Sequence, residues 1–541
     1  MIPLLWFSLL PAAVAFSVTI PCSPADGAPF VSPSLVSLSI EQDRWPEWVG
    51  TSSKNQFFLN TLNNLKTITG APPDIRIGAN SEDKTNFSPE VKYNEDIFPA
   101  PTAVVPYPEA LNITVGNAYY LVANHLPRGT HVTWGVNFGQ FNITAAVLEA
   151  TAIMNAFKSP PFQAAGVTLD FLEIGNEADL YANNGLRPAP FTSSEYVQQW
   201  TTFATNVSEA VNLSSTDTKF LIGSFAGSSS KTTGFSPQAI YAEGVLDSNP
   251  GKLIATFSEH HYSGSFCTGN GGLLQDLMTK ATIRSNLTIY STDVVATHAQ
   301  KLDYILGETN SYACHGAPGV SNTAGAALWA LDYALFAPQI GISKVFFHVV
   351  STMVFEVEFP NFFQGIGFKY SLLQPVALNR SILDGSPLAT PLPPHVQPLY
   401  YSAIIAAELR GCKDEAQISE ITVNDTRIAG YAAFEAGELV RAVFINSQAF
   451  LQGSTNRTSI HLDLEFTGKG PSTMTVKRLA IGFADDTSGV TWGGQTYETT
   501  NGLVEGKLKL EYAPISKGLD IAETEVVLLD FSRGKGHEDT S

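Results

Sequence analysis

Short β-like runs alternate with helical segments from about Leu35 to about Gln374, and this alternation restricts the fold more than any other feature of the sequence. Strands that alternate with helices are typical of βα units in a parallel sheet. The glycine-rich phosphate turn expected of an open doubly wound sheet is not found. We therefore predict an α/β fold with a closed (β/α)8 TIM barrel. The predicted strands are Val36–Ile40, Asp74–Gly78, His131–Asn137, Leu169–Gly175, Lys219–Ser224, Leu253–Ser258, Leu302–Gly307 and Lys344–Val350.

The segments on either side of this alternation predict further units. Residues 1–15 contain an apolar run and a small-residue ending, as secretory signal peptides do, and residues 534–541 form a polar tail. The barrel is predicted to span residues 34–411. Short alternating strands separated by Gly, Asn and Ser turns then predict a C-terminal β-sandwich over residues 412–533, to which the N-terminal segment 16–33 would add a strand.

The charge and the modification signals exclude some classes of protein and favour export. The formal net charge of −19 argues against binding to nucleic acid or to an acidic membrane surface, since both need a positive footprint. No run after the N-terminal segment is long and apolar enough to predict a membrane span. Nine Asn-x-Ser/Thr sequons predict surface glycosylation of a secreted protein. They begin at Asn86, Asn112, Asn142, Asn206, Asn212, Asn286, Asn379, Asn424 and Asn456.

Two glutamates come at the ends of predicted strands. Phe171-Leu-Glu-Ile-Gly-Asn leads to Glu177 after strand four, and Tyr304-Ile-Leu-Gly leads to Glu308 after strand seven. The carboxyl ends of barrel strands meet on one face, where barrel enzymes place their active sites. Double-displacement glycosidases need two carboxyl groups, roughly 5 Å apart, one as acid/base and one as nucleophile. The pattern therefore predicts hydrolysis of a glycosidic bond with retention of configuration.

The four cysteines lack metal-ligand spacing, and in an oxidising compartment we expect them to form disulfides. Cys267 and Cys314 each follow a proposed active-site strand, so we favour that pair. Cys22 and Cys412 would then tie the N-terminus to the C-terminal domain. The alternative pairings stay open.

The order of several motifs resembles that of glycoside hydrolase family 79, the β-glucuronidase and heparanase group of clan A. The resemblance covers the chain from about Leu35 to Tyr370, with a family-like β-rich tail behind. It implies that Glu177 is the acid/base, on strand four, and that Glu308 is the nucleophile, on strand seven. The motifs that match are Ser39-Ile-Glu41, Arg76-Ile-Gly-Ala-Asn80, Asn176-Glu177, Glu259-His-His-Tyr262 and the strand end at Glu308.

The resemblance also implies roles for residues beside the two glutamates. Asn176 would hydrogen-bond the 2-hydroxyl of the sugar, a contact that strengthens in the transition state. Tyr262 would donate its hydroxyl to Glu308 and keep that carboxylate ionised. Tyr312 follows Glu308 by four residues, close enough to reach substrate. The residues that would bind further hydroxyls, or else serve only as turn residues, are Asn80 and Asn137.

Other polar residues favour structural roles. Period-two alternation places Glu173 on the same face as Glu177, inside the barrel, where an unpaired carboxylate would be costly. We therefore expect a buried ion pair between Glu173 and Arg76. His260 and His261 are adjacent, so their side chains point apart, and no set of ligands with zinc spacing completes a metal site. We predict neither a metal nor an organic cofactor. A serine hydrolase is also disfavoured, because no Gly-x-Ser-x-Gly elbow follows a strand.

The loop after strand eight bears on the choice of sugar. In family 79 this loop recognises the C6 carboxylate of glucuronic acid with backbone N–H groups and a lysine. The segment Gln364–Tyr370 offers Gly367 and Lys369 for that purpose, and charge-assisted hydrogen bonds are strong. Ile366 stands where a tyrosine is expected, however, so a β-glycosidase for a neutral sugar stays an alternative.

These inferences predict a secreted retaining exo-β-glucuronidase that removes terminal β-linked glucuronic acid, or its 4-O-methyl form, from glycans. An endo-acting heparanase-like enzyme is a further alternative, although a sulphated polymer would favour a basic cleft over this acidic chain. A catalytically retired carbohydrate-binding protein is the alternative outside enzymes. The presence of both glutamates counts against it.

Overall fold

The computed structural model describes residues 15–100, 102, 105, 108–349, 351–355 and 363–531. Apart from Ala15, the predicted signal segment lies outside the described residues, and so does the polar tail. None of the described helices combines the length and the apolar character needed to cross a membrane.

Eight parallel strands close into a barrel, which confirms the predicted (β/α)8 fold. The eighth strand pairs with the first, with Val345 opposite Val36 and His348 opposite Ser39. Every residue of the first and eighth strands is buried, because helices cover the outside while side chains fill the inside. The barrel strands one to eight are Val36–Glu41, Ile75–Gly78, His131–Val136, Thr168–Ile174, Lys219–Phe225, Ile254–Ser265, Asp303–Ala313 and Val345–Val349.

Strands six and seven run well past their predicted ends, and their extensions stay paired, with Tyr262 opposite Asn310 and Gly264 opposite Tyr312. They therefore rise above the rim of the barrel at its carboxyl end. The Cys267–Cys314 disulfide joins the two segments just beyond them. This bond agrees with the pairing favoured from the sequence.

Helices lie between the barrel strands, and five of the described α-helices begin at a side-chain cap. Ser193–Val211 starts with a capping box in which Thr192 and Glu195 satisfy each other's backbone N–H groups. All thirteen residues of Ala324–Phe336 are buried, since this helix packs against Tyr400–Arg410 as well as the barrel. The described α-helices are Trp45–Val49, Gln56–Thr69, Asn117–Leu121, Ile143–Lys158, Pro160–Ala165, Ser193–Val211, Pro237–Ala242, Leu274–Met278, Lys280–Thr288, Ser291–Ala299, Ala324–Phe336 and Tyr400–Arg410.

Three small sheets that the sequence did not predict lie among the loops after barrel strands two and eight, and one of them has only two strands, Leu373–Gln374 and His395–Val396. Their strands are short, and several are polar, so they carry little hydrophobic periodicity. The sheet after strand two consists of Thr85–Phe87, Asn94–Ile97 and Asn112–Val115. The four-stranded sheet after strand eight consists of Ser351–Phe355, Phe363–Gly367, Leu378–Arg380 and Pro387–Leu392.

The C-terminal part is β-rich and encloses a hydrophobic core of its own. A three-stranded sheet contains Ala15–Ile20, which runs parallel to Ser459–Phe466, with Leu519–Ala522 on the other side. Val18 and Ile20 thereby enter the core of this domain. The larger sheet contains Ala416–Glu420, Ile428–Glu435, Glu438–Asn446, Thr473–Ala480, Thr491–Trp492, Glu511–Pro514 and Glu525–Asp530.

The expected pairing of Cys22 with Cys412 is not formed, and one predicted glycosylation site is buried. Cys22 and Cys412 are both free thiols. The Cys22 backbone is bonded to Leu439 and Thr467, whereas Cys412 is exposed just beyond the helix that ends at Arg410, so the two cysteines are held by different neighbours. The side-chain nitrogen of the Asn286 sequon is buried, so it is not accessible for glycosylation in this fold.

Candidate active site

The backbone before each glutamate explains the glycines in the two motifs. Gly175 has a φ of 84°, and a Cβ there would lie 2.7 Å from Phe138. Glu177 itself has a φ of 50°, and its N–H donates to the Ser224 carbonyl at 2.7 Å. This turn directs the carboxylate of Glu177 over the barrel. At the second motif, a Cβ on Gly307 would lie 2.2 Å from Ser258 Oγ, so only glycine fits before Glu308.

The two carboxyl groups lie close together at the carboxyl end of the barrel. A carboxyl oxygen of Glu177, one of Glu308 and a ring nitrogen of His260 all lie within 4.8 Å of one another. Retaining glycosidases separate their carboxyl groups by about 5 Å, whereas inverting enzymes leave more room for a water. The spacing therefore fits double displacement. The same three groups would also suit a bound cation.

Glu308 is buried in a set of hydrogen-bond donors and positive charges. Tyr262 donates its hydroxyl to Oε1 at 2.8 Å, and Arg76 Nη1 donates to Oε2 at 2.9 Å. His348 Nδ1 lies 3.7 Å from the same Oε2. Burial raises the pKa of Glu308, but the charges of His348, His260 and Arg76 and the Tyr262 hydrogen bond outweigh it and lower the pKa to about 2. Glu308 is therefore an ionised carboxylate at ordinary pH, as a nucleophile must be.

Glu177 is more accessible than Glu308, with 16% of its side chain exposed against 6%. His260 Nδ1 lies 3.0 Å from Glu177 Oε1, while His261 turns away and contacts the Tyr290 hydroxyl at 3.2 Å. The adjacent histidines thus point apart, as expected from the sequence. An accessible carboxyl group beside an imidazole suits a group that exchanges protons with substrate and water.

Arg76 connects most of the site. Its Nε lies 3.1 Å from both carboxylate oxygens of Glu173, and its Nη2 donates to Asn176 Oδ1 at 2.8 Å. Burial opposes the charge of Arg76, but Glu173, Glu308 and Glu82 raise its pKa above the ordinary value. The buried Arg76–Glu173 pair is the one expected, yet Arg76 also contacts the nucleophile, which the sequence did not indicate.

The remaining predicted residues divide between the site and its surroundings. Asn176 is buried and its Nδ2 donates to Asn80 Oδ1 at 3.2 Å, whereas Asn80 is exposed and accessible to a sugar hydroxyl. Asn137 is buried and donates to the Thr85 carbonyl at 2.6 Å, so it is a turn residue and not a hydroxyl ligand. The ring of Tyr312 packs on glycines 264 and 272 of the neighbouring loop, and its contact with substrate stays a prediction.

Lys369 lies beside the site in the segment after strand eight, two residues beyond Gly367. Its side chain is buried, its Nζ is 5.4 Å from the centre of the Phe266 ring, and its N–H donates to the His315 carbonyl at 3.0 Å. Burial lowers the pKa of Lys369 to about 8. Among the described residues, no carboxylate lies within ion-pair distance of its Nζ.

Tyr370, the neighbour of Lys369 in sequence, contacts a residue that binds Glu308. The centre of its ring lies 6.0 Å from that of Tyr262, which donates its hydroxyl to Glu308.

His348 and His260 are the main site residues that sequence reasoning missed. His348 lies in an apolar strand, Val345–Val349, where a histidine looks like a core residue. The position of each histidine at a strand's carboxyl end was the signal available.

Comparisons with known proteins agree with this architecture. The family described as "Glycosyl hydrolase family 79 C-terminal beta domain" matches residues 430–528. A protein named β-glucuronidase from Aspergillus niger is 28% identical over 532 residues, which covers 94% of this chain and 91% of that protein. A β-glucuronidase from Neurospora crassa is 27% identical over 504 residues, with 86% and 84% covered.

The fold is similar to that of a solved structure, a 4-O-α-L-rhamnosyl-β-D-glucuronidase from Fusarium oxysporum. The TM-score is 0.75 at 23% identity, and the match covers 96% of this chain and 100% of that chain. The match over residues 430–528 shows that the C-terminal domain is that of glycoside hydrolase family 79, and the long similarity to the two fungal proteins shows that the chain as a whole is similar to β-glucuronidases.

Proposed function

We propose that this protein is a secreted retaining exo-β-glucuronidase that removes terminal β-linked glucuronic acid, or its 4-O-methyl form, from glycans. The similarity to two proteins named β-glucuronidase over most of the chain supports this assignment. The observation that carries the choice of sugar is Lys369, a buried cation without a carboxylate partner among the described residues, next in sequence to Tyr370, whose ring packs against that of Tyr262. A uronic acid supplies that partner.

In the first step, a carboxylate oxygen of Glu308 attacks C1 of the glucuronosyl unit. The bond from C1 to the aglycone oxygen breaks, and Glu177 gives its proton to that oxygen. Arg76 and Tyr262 hold Glu308 in place for the attack, since they bind one carboxylate oxygen each. The product of this step is a glycosyl ester on Glu308 and a free aglycone.

In the second step, Glu177 acts as a base and takes a proton from water. The water oxygen attacks C1, the ester bond to Glu308 breaks, and glucuronic acid leaves with its original β configuration. Asn176 binds the 2-hydroxyl, where a hydrogen bond strengthens as the ring approaches the oxocarbenium ion. Asn80 steadies Asn176 from the exposed side.

The negative net charge does not prevent binding of an anionic sugar. At physiological salt the screening length is about 8 Å, so distant carboxylates contribute little inside the pocket. Lys369 acts at contact distance in a buried setting, where a charge-assisted hydrogen bond is strong. The local donor therefore dominates over the charge of the whole chain.

The test compares a chromogenic β-D-glucuronide with the matching β-D-glucoside. We expect the glucuronide to be strongly preferred, and the first sugar released to be the β anomer by proton NMR. A preference for the glucoside would refute the sugar assignment, and initial release of the α anomer would refute double displacement. EDTA should leave the rate unchanged; loss of activity that zinc or another divalent cation restores would assign Glu177, His260 and Glu308 to a metal instead.

A further inference from the structure

His348 lies between two buried carboxylates at the carboxyl end of the barrel. Its Nδ1 is 3.7 Å from Oε2 of Glu308, and its Nε2 is 3.6 Å from Oε1 of Glu41. The three side chains are at most 6% exposed. Glu41 ends strand one and His348 belongs to strand eight, so the closing pair of strands places this imidazole beside the nucleophile.

The chemistry of imidazole restricts its charge in this position. A neutral histidine has one N–H, so the other ring nitrogen would direct a lone pair at a carboxylate. Only the imidazolium presents a positive charge to both carboxylates, and the distances of 3.6 and 3.7 Å are those of ion pairs, longer than hydrogen bonds. The backbone N–H and the hydroxyl of Ser81 both donate to Oε2 of Glu41, which leaves Oε1 facing His348. The geometry thus favours the charged ring.

The remaining groups around His348 do not reverse this preference. Arg76, on strand two, is the one positive charge near it and acts against the imidazolium. Tyr370 and Phe368, on the segment after strand eight, present aromatic rings about 6 Å away. Burial lowers the pKa of His348, but Glu308 and Glu41 raise it above the ordinary value.

We propose that His348 is a positioning residue, a fixed imidazolium that keeps the nucleophile Glu308 ionised and aligned, with Glu41 as its second carboxylate. The inference rests on the proposed function, because it assigns His348 a part in the glycosidase reaction. In the glycosyl ester Glu308 carries no charge, and the charge returns to it as the ester bond breaks. His348 then stabilises the departing carboxylate, so it assists the second step as well as the first.

The pKa values of Glu41 and Glu308 are shifted in opposite directions, and this difference keeps Glu308 ionised in acid. Burial raises the pKa of Glu41, whereas the surrounding positive charges lower that of Glu308 to about 2. When the pH falls, Glu41 therefore takes up a proton before Glu308 does. The enzyme consequently keeps an ionised nucleophile at mildly acidic pH.

The first experiment measures kcat and KM for 4-nitrophenyl β-D-glucuronide against pH in wild type, His348→Gln and Glu41→Gln. Loss of the imidazolium raises the pKa of Glu308, so the acid limb of kcat/KM in His348→Gln should move to higher pH, and kcat should fall about 10- to 100-fold. Glu41→Gln should have a smaller effect, and little further effect when His348 is already replaced.

His131→Gln is the matched control, because His131 also pairs with a carboxylate, Asp170, but at the opposite end of the barrel. Its pH profile should equal that of wild type. A uniform loss of kcat/KM in His348→Gln with an unmoved acid limb would mean that His348 only fills space. Fully additive effects of His348→Gln and Glu41→Gln would overturn the proposed connection between the two residues.

A second experiment does not depend on the substrate. In ¹⁵N NMR of histidine-labelled wild type, the His348 signal, identified by its loss in His348→Gln or His348→Asn, should show both ring nitrogens protonated from pH 5 to pH 8. A lone-pair nitrogen in this range overturns the inference. If no glucuronide is cleaved and both nitrogens are protonated, the proposed function fails while the charged state of His348 stands.

Discussion

The two ends of the barrel contain similar ion pairs in different surroundings. At the catalytic end the Arg76–Glu173 side chains are each 1% exposed. At the opposite end the His131–Asp170 side chains are 49% and 29% exposed, and Lys344 pairs with Asp74 beside a cavity of about 80 Å³. Water solvates the His131–Asp170 pair, so that pair contributes little energy, whereas the Lys344 and Asp74 side chains are only 26% and 9% exposed. The Arg76–Glu173 pair is desolvated, so the charge of each buried side chain there shifts the pKa of its neighbours.

The pairing of cations also differs between the two ends. Lys344 is matched by Asp74, and its pKa is raised, since Asp74 outweighs the effect of burial. Lys369 is unmatched among the described residues, and burial lowers its pKa. Charge is thus neutralised at the end opposite the site, whereas a buried cation is left at the position proposed to bind substrate. A perturbed, unpartnered group in a buried cleft is therefore more informative than an ion pair.

The largest expected effect is at the nucleophile. Glu308→Gln keeps the shape of the side chain but removes the attacking carboxylate, so kcat should fall by at least about 10⁴-fold. Asp170→Asn, the control at the opposite end, should stay within about twofold of wild type. The measurement is hydrolysis of 4-nitrophenyl β-D-glucuronide. Comparable losses in both variants would erase the distinction between the two ends.

The disulfide should have the next largest effect. Cys267→Ser with Cys314→Ser removes the bond between the segments after strands six and seven, which have a sequence separation of 47 residues. We expect a loss of about 2–4 kcal/mol in the free energy of unfolding by urea, because the unfolded chain gains freedom. The control is Cys22→Ser, whose thiol is free, and an equal loss in that variant would contradict the assignment.

Lys369→Met tests the unmatched cation. The substitution should lower kcat/KM for the glucuronide about 100-fold and leave the glucoside rate unchanged, because a buried charge pair with substrate is lost. It should also raise Tm, since a buried charge without a partner is removed. Lys344→Met should lower Tm and leave the sugar preference intact. Retained glucuronide preference in Lys369→Met would remove the argument for a uronic acid.

The smallest effect is at the exposed histidine. The Asp170 hydrogen bond raises the pKa of His131, so the pair stabilises the fold below pH about 6.5, and this contribution is lost as pH rises through the raised value. The exposure of both side chains limits it to about 0.5 kcal/mol. Urea unfolding of His131→Gln should differ from wild type at pH 5.5 and agree with it at pH 8.5. A larger difference at the higher pH would reverse the predicted sign.

The barrel and its two glutamates were predictable because both follow from local signals. A buried strand is an apolar run, and a glycine before a strand-end carboxylate reflects a close backbone approach, as at Gly175 and Gly307. The Arg76–Glu173 pair also followed from the cost of burying a lone carboxylate. In these cases the residues near in sequence contain the required information.

The residues that sequence reasoning misjudged depend on the closure of the barrel. His348 acquires its neighbours only when strand eight pairs with strand one. The choice between the two roles left open for Asn137 depends on its contact with the Thr85 carbonyl, which is distant in sequence. The short sheets after strands two and eight have little hydrophobic periodicity, so the sequence pattern does not predict them.

The strand Ala15–Ile20 has a consequence for the order in which the protein folds. It completes a sheet with Ser459–Phe466, so the earliest described segment finds its partner only after almost the whole chain has been synthesised. Until then the apolar side chains of Val18 and Ile20 lack their native neighbours and are open to aggregation. A fragment that contains only the C-terminal strands would lack this strand and expose part of its core. The folding of the C-terminal domain thus depends on a strand from the other end of the chain, although the barrel and the C-terminal domain each have their own architecture.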